Sequence, residues 1–402
     1  MKVLMLHNRY RERGGEDYSS AAEANLLQSM GVESHFHCVD NRDVQSFGVS
    51  AAINAIWSRD AADDISKLIA DRGFDLVHVQ NFFPQFSPSV HWAAKRAGAA
   101  VVQTLRNYRL ACINGQFFRD GRICEDCLGR SPLRGVVHRC YRDSLAGSSI
   151  VAAMLTTHRM LGTWSTRVDR FIAPSRFTRE KLIESGLPPE KIDVKPNFLP
   201  SAPAHPGTGG GGYFAYVGRL SKEKGIQTLI DAWKSIPPSG PGLKLVGTGP
   251  LEPLLKAAAE SMPNVQMMGA RTPEEVLSIL ADAHALIFPS EWYETFGRVA
   301  MEAYSVGTPL IASDVGAVAE IVDDGITGFR FRAGSASDLT EKVQLLLNDR
   351  GRLEYMRTAA RAAFMNRYTA AENGRLLLDI YRRALEESSS RRPSTIDRYG
   401  QA

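Results

Sequence analysis

Short apolar runs alternate with amphipathic helical patterns along almost the whole chain, and this alternation limits the fold more than any other feature. The short runs are nearly continuous in apolar residues, which is typical of parallel strands that are buried on both faces. The alternation predicts an α/β fold in which doubly wound parallel sheets carry helices on both sides. The predicted strands lie at 2–8, 34–39, 74–81, 99–105 and 169–175, and again at 213–218, 243–247, 265–269, 285–290 and 309–314.

The chain is long enough for two such domains, and one break in the pattern separates them. At 402 residues each domain has ordinary size and its own core. PSAPAHPGTGGGG is rich in Pro and Gly and has no apolar periodicity, which indicates a linker. We predict a first domain over 1–199, this linker over 200–212 and a second domain over 213–368. An amphipathic helix over 369–386 is able to pack back on the first domain, and 387–402 is expected to be a disordered tail.

Two parallel-sheet domains joined in this way place the ends of their strands, and so their ligand-binding loops, around a common cleft. The formal net charge of +4 is unevenly spread, because eight Arg and only three acidic residues lie between 106 and 142. Such a cluster suits a phosphate, a pyrophosphate or an acidic membrane surface, and it would also fit a solvated face. No nucleic-acid-binding motif accompanies the cluster, so nucleic acid is not expected as a partner.

No apolar run approaches the ~20 residues that are needed to span a bilayer. The N-terminal MKVLMLH is followed at once by polar residues and by no small-residue cleavage site, so it is interpreted as a strand rather than a signal peptide. We therefore expect a cytoplasmic protein whose five cysteines are reduced unless they bind metal.

Two loops that follow strands carry residues suited to a phosphate-containing ligand. VGRLSKEKG places Arg219 and Lys224 after the first strand of the second domain. There an arginine can bind a diphosphate bidentately and a lysine adds a point charge. RERGGEDYSS follows the first strand of the first domain, and its glycines, Gly14 and Gly15, let a ligand approach the backbone closely. This loop lacks the GxGxxG spacing, and either loop alone would also fit an ordinary turn.

A third stretch, ETFGRVAME, follows the strand ALIFPS and carries Glu294 and Glu302. It is predicted to open a helix whose N-terminus faces the cleft, which is a suitable place for a phosphate. On a continuous helix the eight-residue spacing would separate the two side chains by ~12 Å in height and ~80° in direction. Such a pair cannot share one metal ion or one proton. If both glutamates act, they hold two parts of one extended ligand; two solvated glutamates are the alternative.

In this order the three motifs resemble those of the retaining glycosyltransferases of family 4, whose GT-B architecture has two Rossmann-like domains. The resemblance covers nearly the whole chain before the tail. Its most specific part is FPSEWYETFGRVAMEAYSVGTPLIASDVGAVAEIV, which contains the Glu-x7-Glu pair of the family. It implies that Glu302 accepts the ribose hydroxyls of a nucleotide sugar and that Glu294, as a catalytic residue, meets the hydroxyls of the transferred sugar. The other donor-binding residues that it implies are Gly14, Gly15, Arg219, Lys224, Phe296 and Gly297, with the diphosphate near the last four.

The resemblance also implies a reaction. A sugar would pass from a UDP- or GDP-sugar to a hydroxyl of a glycan acceptor with retention at the anomeric carbon, and a donor phosphate oxygen would take the acceptor's proton. The expected acceptor is a polyprenyl-pyrophosphate-linked precursor of a bacterial envelope polysaccharide, met by peripheral contact at the inner membrane face. The chain contains no Asp-x-Asp, so no catalytic divalent metal is expected, and cations would stabilise the leaving diphosphate.

Two positions depart from the family pattern. Relatives read VHVHN and TLHNYR where this chain has VHVQN and TLRNYR, so Gln80 and Arg106 replace histidines. Arg106, expected near the reacting centre, can donate to an oxygen of donor or acceptor but cannot act as a base. Two other functions stay open: a sugar-nucleotide epimerase of the same architecture, and a catalytically silent binding or assembly protein.

A cysteine-rich insert over 112–140 interrupts the first domain. One interpretation is a tetrahedral structural Zn²⁺ site with four thiolates, in which His138 is an alternative to the last cysteine. The x11, x2, x12 spacing differs from standard zinc ribbons, so free thiols are the second interpretation and a disulfide the third. A segment so rich in Gly, Arg and Pro would gain order from a metal. The four cysteines are Cys112, Cys124, Cys127 and Cys140, and Cys38 stands apart.

Overall fold

Two six-stranded, all-parallel sheets form the centres of two domains, as predicted. They are seen in a computed structural model that describes residues 1–10, 14–41 and 49–390. The strands are β1 Lys2–Arg9, β2 Glu33–Asp40, β3 Leu76–Asn81, β4 Ala100–Thr104, β5 Phe118–Arg119, β6 Arg122–Ile123, β7 Arg170–Ala173, β8 Ile192–Val194, β9 Tyr213–Val217, β10 Gly242–Val246, β11 Val265–Gly269, β12 Leu286–Phe288, β13 Leu310–Ser313 and β14 Gly328–Phe331. The helices are α1 Gly15–Ser29, α2 Val49–Ile56, α3 Arg59–Arg72, α4 Ser89–Arg96, α5 Leu133–Val137, α6 Leu145–Met160, α7 Thr163–Thr166, α8 Arg176–Glu184, α9 Ile226–Lys234, α10 Glu252–Glu260, α11 Pro273–Asp282, α12 Arg298–Ser305, α13 Gly316–Ile321, α14 Ala336–Leu347, α15 Arg350–Arg367 and α16 Ala370–Ser390.

The first sheet has the order β2-β1-β3-β4-β7-β8 and the second has the order β11-β10-β9-β12-β13-β14. Every residue of the central strands β3 and β4 is buried, the apolar ones together with the polar residues toward the carboxyl ends, which are His78, Gln80, Asn81, Gln103 and Thr104. Helices cover both faces of each sheet, so the two domains contain four separate apolar clusters on the sheet faces. Within the described ranges, no helix is long and apolar enough to cross a bilayer.

The C-terminal helix α16 packs on the first domain, although it follows the second domain in sequence. Its apolar side chains Leu377, Ile380 and Tyr381 are buried against Val3 and Met5 of β1. These residues repeat at helical spacing, so one face of the amphipathic pattern is the face that meets the sheet. The helix therefore completes the hydrophobic core of a domain whose other elements end at β8.

Helix α16 ends at Ser390, so residues 387–390, predicted as the start of a disordered tail, are helical. Polar contacts with the first domain hold this last turn. Glu387 pairs with Arg170 at 2.9 Å, and the hydroxyl of Ser388 accepts a hydrogen bond of 2.9 Å from Lys95. The remainder of the predicted tail, 391–402, lies outside the described residues.

The chain passes from one domain to the other twice, after β8 and before α16, and the two passing segments lie side by side. The backbone N–H of Leu199 donates to the carbonyl of Tyr368 at 3.2 Å, and Leu199 forms an isolated parallel bridge with Thr369. The side chain of Asn373 donates to the carbonyl of Pro196 at 2.6 Å and accepts from Lys195 at 2.9 Å. The predicted linker, 200–212, lies between the first of these segments and β9.

The sequence did not predict the short strands β5, β6, β8 and β14. Strand β8 has only three residues, and β14 reads GFRF with Arg330 exposed in its centre. Strands β8 and β14 lie at the edges of their sheets and the β5–β6 pair forms a two-stranded hairpin inside the insert, so none has the long apolar run of a central strand.

Candidate active site

A cleft of about 640 Å³ lies between the two domains at the carboxyl ends of their strands. In the first sheet the direction of winding reverses between β1 and β3, and in the second it reverses between β9 and β12. Doubly wound domains bind ligands at such switch points, outside the carboxyl ends of the strands. The loops after β1, β9 and β12 line this cleft, so it is the candidate active site.

Glu294 lies in the loop between β12 and α12, because the helix begins only at Arg298. The predicted helical spacing of Glu294 and Glu302 is therefore wrong, and the ~12 Å estimate that followed from it does not apply. Gly297 explains the late start of the helix. Its φ of 91° lies in the left-handed region that favours glycine, and a Cβ there would lie 3.0 Å from the Phe288 ring.

The carboxylate of Glu294 is buried and firmly oriented. Its Oε1 accepts a hydrogen bond of 2.9 Å from the Ser290 hydroxyl and another of 2.9 Å from the indole N–H of Trp292, and it forms an ion pair with Lys224. In the described part of the chain all three donors meet Oε1, which leaves Oε2 available to a ligand in the cleft. Ser290 and Trp292 were not predicted as site residues, although both lie within four residues of Glu294.

Of the two cations predicted after β9, the structure brings only Lys224 into this group. Lys224 lies in a short 3₁₀ turn, with its ammonium group 5.3 Å from the centre of the Trp292 ring. Gly225, with φ of 67°, follows directly, and a Cβ there would collide with the carbonyl oxygen of Pro289. Glycine thus allows the loop after β9 to reach the loop after β12. Arg219 is exposed and is not among the residues that line the cleft.

Glu302 lines the cleft from the fifth position of α12. Burial raises the pKa of its carboxyl group, and the neighbouring Arg298, whose Nε lies 3.0 Å from the carboxylate, opposes that shift. Arg298 also lies over the ring of Tyr18 in the first domain at 5.3 Å, and Arg271 lines the same wall. Neither arginine was predicted; the four-residue spacing of Arg298 and Glu302 was the available signal.

The opposite wall is formed by the N-terminus of α1. Both predicted glycines, Gly14 and Gly15, line the cleft, and a Cβ at either would meet no described atom within 4 Å. The described part of the chain thus leaves the backbone of these two glycines open to a ligand. Asp17 accepts a hydrogen bond of 2.9 Å from the N–H of Gly14, while Glu16 accepts one of 2.9 Å from Tyr10. The N-terminus of a helix of this length attracts anions.

The two positions that depart from the family pattern contact each other. Arg106 donates to Oε1 of Gln80 through Nε at 3.3 Å and through Nη2 at 3.1 Å. Both side chains also meet Glu23, with distances of 2.7 Å from Arg106 and 3.0 Å from Gln80 to its Oε2. Arg106 forms part of the cleft lining and also donates to Asn197. The amide oxygen of Gln80 thus provides an acceptor for the guanidinium group that replaces the second histidine.

Arg106 shares the buried carboxylate of Glu23 with a second cation. Glu23 also pairs with Lys195 at 3.0 Å, so two buried cations share one carboxylate. Burial by itself would raise the pKa of Glu23, but Lys195 and Arg106 lower it to about 2. The adjacent His78 adds no positive charge at neutral pH, because burial lowers its pKa to about 4. Arg106 and Lys195 are thus held together by one buried carboxylate under the first-domain wall, although burial lowers the pKa of Lys195.

All four cysteines of the insert line one small cavity of about 10 Å³, although no disulfide joins any of the five cysteines, all of which are described. Burial raises the pKa of the Cys127 thiol to about 11. Arg119 lines the same cavity, whereas His138 is exposed and outside it. Among the described residues no group of three or more His, Cys, Asp or Glu side chains is arranged to hold a metal ion. The thiols converge, and zinc binding stays a prediction.

Two family models match this chain, one in each domain. Residues 23–197 match the model described as "Glycosyl transferase 4-like domain", and residues 204–363 match "Glycosyl transferases group 1". Together with the two parallel-sheet domains, these matches support a GT-B glycosyltransferase of the family 4 type. The first match covers β2 to β8, and the second covers the loops that carry Lys224 and Glu294 and the helix α12 that carries Glu302.

Individual proteins are similar over shorter stretches. The chain is 31% identical over 245 residues to the D-inositol 3-phosphate glycosyltransferase of Nocardia farcinica, covering 54% of this chain and 53% of that protein. It is 30% identical over 183 residues to the capsular polysaccharide biosynthesis glycosyltransferase CapM of Staphylococcus aureus, and the match covers 44% of this chain and 47% of that protein. The chain thus spans about half the length of these curated relatives. The crystal structure of Anabaena HepE in complex with UDP has the same fold, with a TM-score of 0.66 and 17% identity. The match covers 94% of this chain and 99% of the HepE chain.

Proposed function

We propose that this GT-B chain is a retaining glycosyltransferase that moves a sugar from a nucleotide-diphosphate sugar to a hydroxyl of a glycan acceptor. The observation that carries the proposal is the placement of Glu294. Its carboxylate is held by Ser290, Trp292 and Lys224 at the switch point of the second sheet, and its other oxygen meets no donor among the residues that the structure describes. A carboxylate fixed in this way is suited to accept hydrogen bonds from sugar hydroxyls.

The donor is proposed to lie along the cleft from Glu302 to Glu294. Glu302 accepts the ribose hydroxyls, and the diphosphate lies near the backbone of Phe296 and Gly297 and the N-terminus of α1 with Gly14 and Gly15. UDP, which is bound in the Anabaena structure, is the first nucleotide to consider. Arg219 keeps a proposed role at the diphosphate, but Arg298 and Arg271 already line the cleft and are better placed for it.

The chemistry proposed for these groups is positioning and charge stabilisation. Lys224 and the cleft arginines neutralise the leaving diphosphate, so that no catalytic divalent metal is needed. Arg106 donates to an oxygen of donor or acceptor and presents its permanent positive charge to the cleft. The acceptor hydroxyl attacks the face from which the diphosphate departs, and a donor phosphate oxygen takes its proton. No covalent nucleophile is required.

The function is tested with the purified chain and a panel of UDP- and GDP-sugars. Nucleoside diphosphates and their sugars are first ranked by thermal shift, since a bound ligand raises the apparent stability. The best donor is then incubated without acceptor and with a chelator too weak to strip the structural zinc, and slow hydrolysis to the free sugar is expected. A new nucleotide sugar would instead identify an epimerase, and a strict need for Mg²⁺ or Mn²⁺ would contradict metal-independent transfer. Absence of both binding and hydrolysis would identify a silent binding or assembly protein.

We further propose that the acceptor is lipid-linked, in bacterial envelope polysaccharide synthesis, and that the first domain contacts the inner membrane face peripherally. The capsular polysaccharide relative supports the first part. A helical hairpin of α5 and α6 supports the second, because Arg159 near the end of α6 donates to the carbonyl of Arg130 just before α5, at 3.1 Å. Large apolar side chains of this hairpin face solvent: Leu133 is 66%, Val137 74%, Leu145 53%, Met160 83% and Leu161 45% exposed.

The hairpin is also strongly basic, with five Arg and one Asp between residues 128 and 161. We therefore expect the protein to bind vesicles of phosphatidylglycerol and phosphatidylcholine in equal parts, and to bind pure phosphatidylcholine more weakly. Changing Leu133 and Met160 together to serine should weaken binding by at least about tenfold, because even one apolar side chain gains ~1.5–3 kcal/mol when fully buried and ~1.4 kcal/mol corresponds to a tenfold change. The matched control changes Leu347 and Tyr355, exposed on the second domain, to serine. Equal binding by both double variants in sedimentation would reject this surface.

We also propose one structural Zn²⁺ in the insert, held by Cys112, Cys124, Cys127 and Cys140. The support is that all four thiols line a single cavity whose volume is about that of one small atom. Thiolate ligands suit Zn²⁺, and a neighbouring arginine such as Arg119 would offset their negative charge.

Elemental analysis of reduced, purified protein is expected to find one zinc per chain. The zinc content should be lost in Cys124→Ser and unchanged in Cys38→Ser, since Cys38 lies in β2 away from the insert. Because metal binding and folding of such segments are coupled, the melting temperature should fall when a strong chelator removes the ion. Protein without zinc that reacts at all four insert thiols with a thiol reagent would rule the site out.

A further inference from the structure

The cysteine-rich insert meets the loop that carries Glu294. Tyr293, in the second domain, has its ring 4.8 Å from that of Phe177 in α8 and 6.3 Å from that of Phe117 in the insert. Phe117 is fully buried and also packs on Tyr108, with 4.8 Å between ring centres. The residue next to Glu294 is thus held in an aromatic pocket of the other domain, which we name the Tyr293 pocket, formed by Tyr108, Phe117 and Phe177.

The backbone on either side of Tyr293 is tied to the first domain as well. The hydroxyl of Tyr108 donates to the carbonyl of Glu294 at 3.4 Å. The carbonyl of Thr295 accepts from the hydroxyl of Ser175 at 3.0 Å and from that of Thr178 at 3.1 Å. These contacts come from Tyr108, just before the insert, and from the N-cap and first turn of α8, so Glu294 is positioned by both domains.

The cysteine cavity lies directly behind the Tyr293 pocket. Cys112, one of the four thiols, packs in the same apolar cluster as Tyr108 and Phe117. Glu125, between two other insert cysteines, pairs with Lys181 at 2.9 Å. Burial and then a hydrogen bond from its hydroxyl to Glu125 raise the pKa of Tyr293, so the insert holds both the ring and the hydroxyl of that residue.

The backbone of Phe117 gives a further indication. Its φ is 52°, a left-handed conformation that a bulky side chain seldom adopts. The aromatic ring of Phe117 is nevertheless completely buried. Such conformations persist where the surrounding contacts determine them, and they occur often at functional sites.

We propose that the insert positions Glu294 for sugar transfer by holding Tyr293 in this pocket. The inference rests on the proposed function, because it assigns Phe117 and Tyr293 as positioning residues for that reaction. If the pocket is opened, the loop 292–295 shifts and the carboxylate moves relative to the sugar. A misplacement of ~1 Å can cost ~10²-fold in rate. The nucleotide is held mainly by α12 and α1, so its affinity should not change.

The test compares Phe117→Ala and Tyr293→Ala with the wild-type chain. Both variants should lower kcat by about 10- to 100-fold, while the Kd for UDP, measured by calorimetry, stays within about twofold. Tyr293→Phe keeps the ring in the pocket and loses only the bond to Glu125, so its kcat should be close to the wild-type value. Phe74→Ala is the matched control, because Phe74 is a buried aromatic of the first domain that packs on β2 rather than on the loop.

Hydrogen exchange of residues 292–295 provides a readout that does not depend on turnover. It should become faster in Phe117→Ala and remain unchanged in Phe74→Ala. A folded Phe117→Ala variant with wild-type kcat and wild-type exchange in this loop would overturn the proposal. A wild-type chain that turns over no nucleotide sugar refutes the proposed function instead, and the exchange experiment then still decides whether the insert holds the loop.

Discussion

Glu294→Ala is expected to lower kcat by about 10²–10³-fold while leaving the binding of UDP intact. The size follows from the loss of one preorganised polar group at the reacting centre. Glu294 is oriented by Ser290, Trp292 and Lys224 and is proposed to hold the sugar rather than the nucleotide. Removing its charge also frees Lys224 for the diphosphate, so the Kd for UDP should stay the same or fall.

Steady-state kinetics and calorimetry on the same preparation check this result. Glu291→Ala is the matched control, since Glu291 lies in the same loop but accepts its hydrogen bond from Thr228, outside the cleft lining. That variant should keep kcat within a few fold of the wild-type value. If Glu294→Ala instead bound UDP about tenfold more weakly and retained kcat, the donor would lie in the cleft in the opposite direction.

Glu302→Ala is expected to weaken the binding of UDP rather than to lower kcat. A buried hydrogen bond to a charged acceptor contributes ~1.5–3 kcal/mol, which corresponds to about a 10- to 150-fold increase in the Kd for UDP. The ribose is bound alike before and during the reaction, so kcat should change little. Because burial raises the pKa of Glu302, the carboxylate accepts protons at a higher pH than an ordinary glutamate. The affinity of the wild-type chain should therefore weaken as the pH falls toward that pKa, and this dependence should vanish in Glu302→Ala.

Calorimetry at two pH values decides the matter, with Glu354→Ala as a control on the exposed side of α15. Should both glutamate variants bind UDP as the wild-type chain does, Glu302 does not hold the ribose. The proposed assignment of the two ends of the cleft would then have to be abandoned.

The apolar runs were sufficient to predict two parallel-sheet domains, because buried parallel strands need continuous apolar sequence on both faces. The loops after β1, β9 and β12 could be placed at one cleft for the same reason. The start of α12 could not be predicted, since it depends on the left-handed conformation of Gly297. With the loop conformation unknown, nothing in the sequence indicated that Ser290 and Trp292 donate to Glu294. Arg219 and Lys224 looked equivalent in the sequence, yet only Lys224 reaches the carboxylate.

The contact between Gln80 and Arg106 also could not be predicted, although both residues were noted as departures from the family pattern. They are separated by 26 residues, and each substitution taken singly looks like the loss of a histidine. The fold brings them together at the ends of the adjacent strands β3 and β4, where they share Glu23. The two changes therefore belong to one arrangement, in which an amide and a carboxylate hold a permanent cation at the cleft.

The paired passages between the domains have a mechanical consequence. Because the segments at Leu199 and Thr369 are bridged to each other, they form a two-stranded hinge rather than two independent tethers. An opening of the cleft about these segments would therefore bend both of them together. Such an opening would also separate the Tyr293 ring of the second domain from Phe117 and Phe177 of the first, so the two domains would lose an apolar contact beside Glu294 each time the cleft opened.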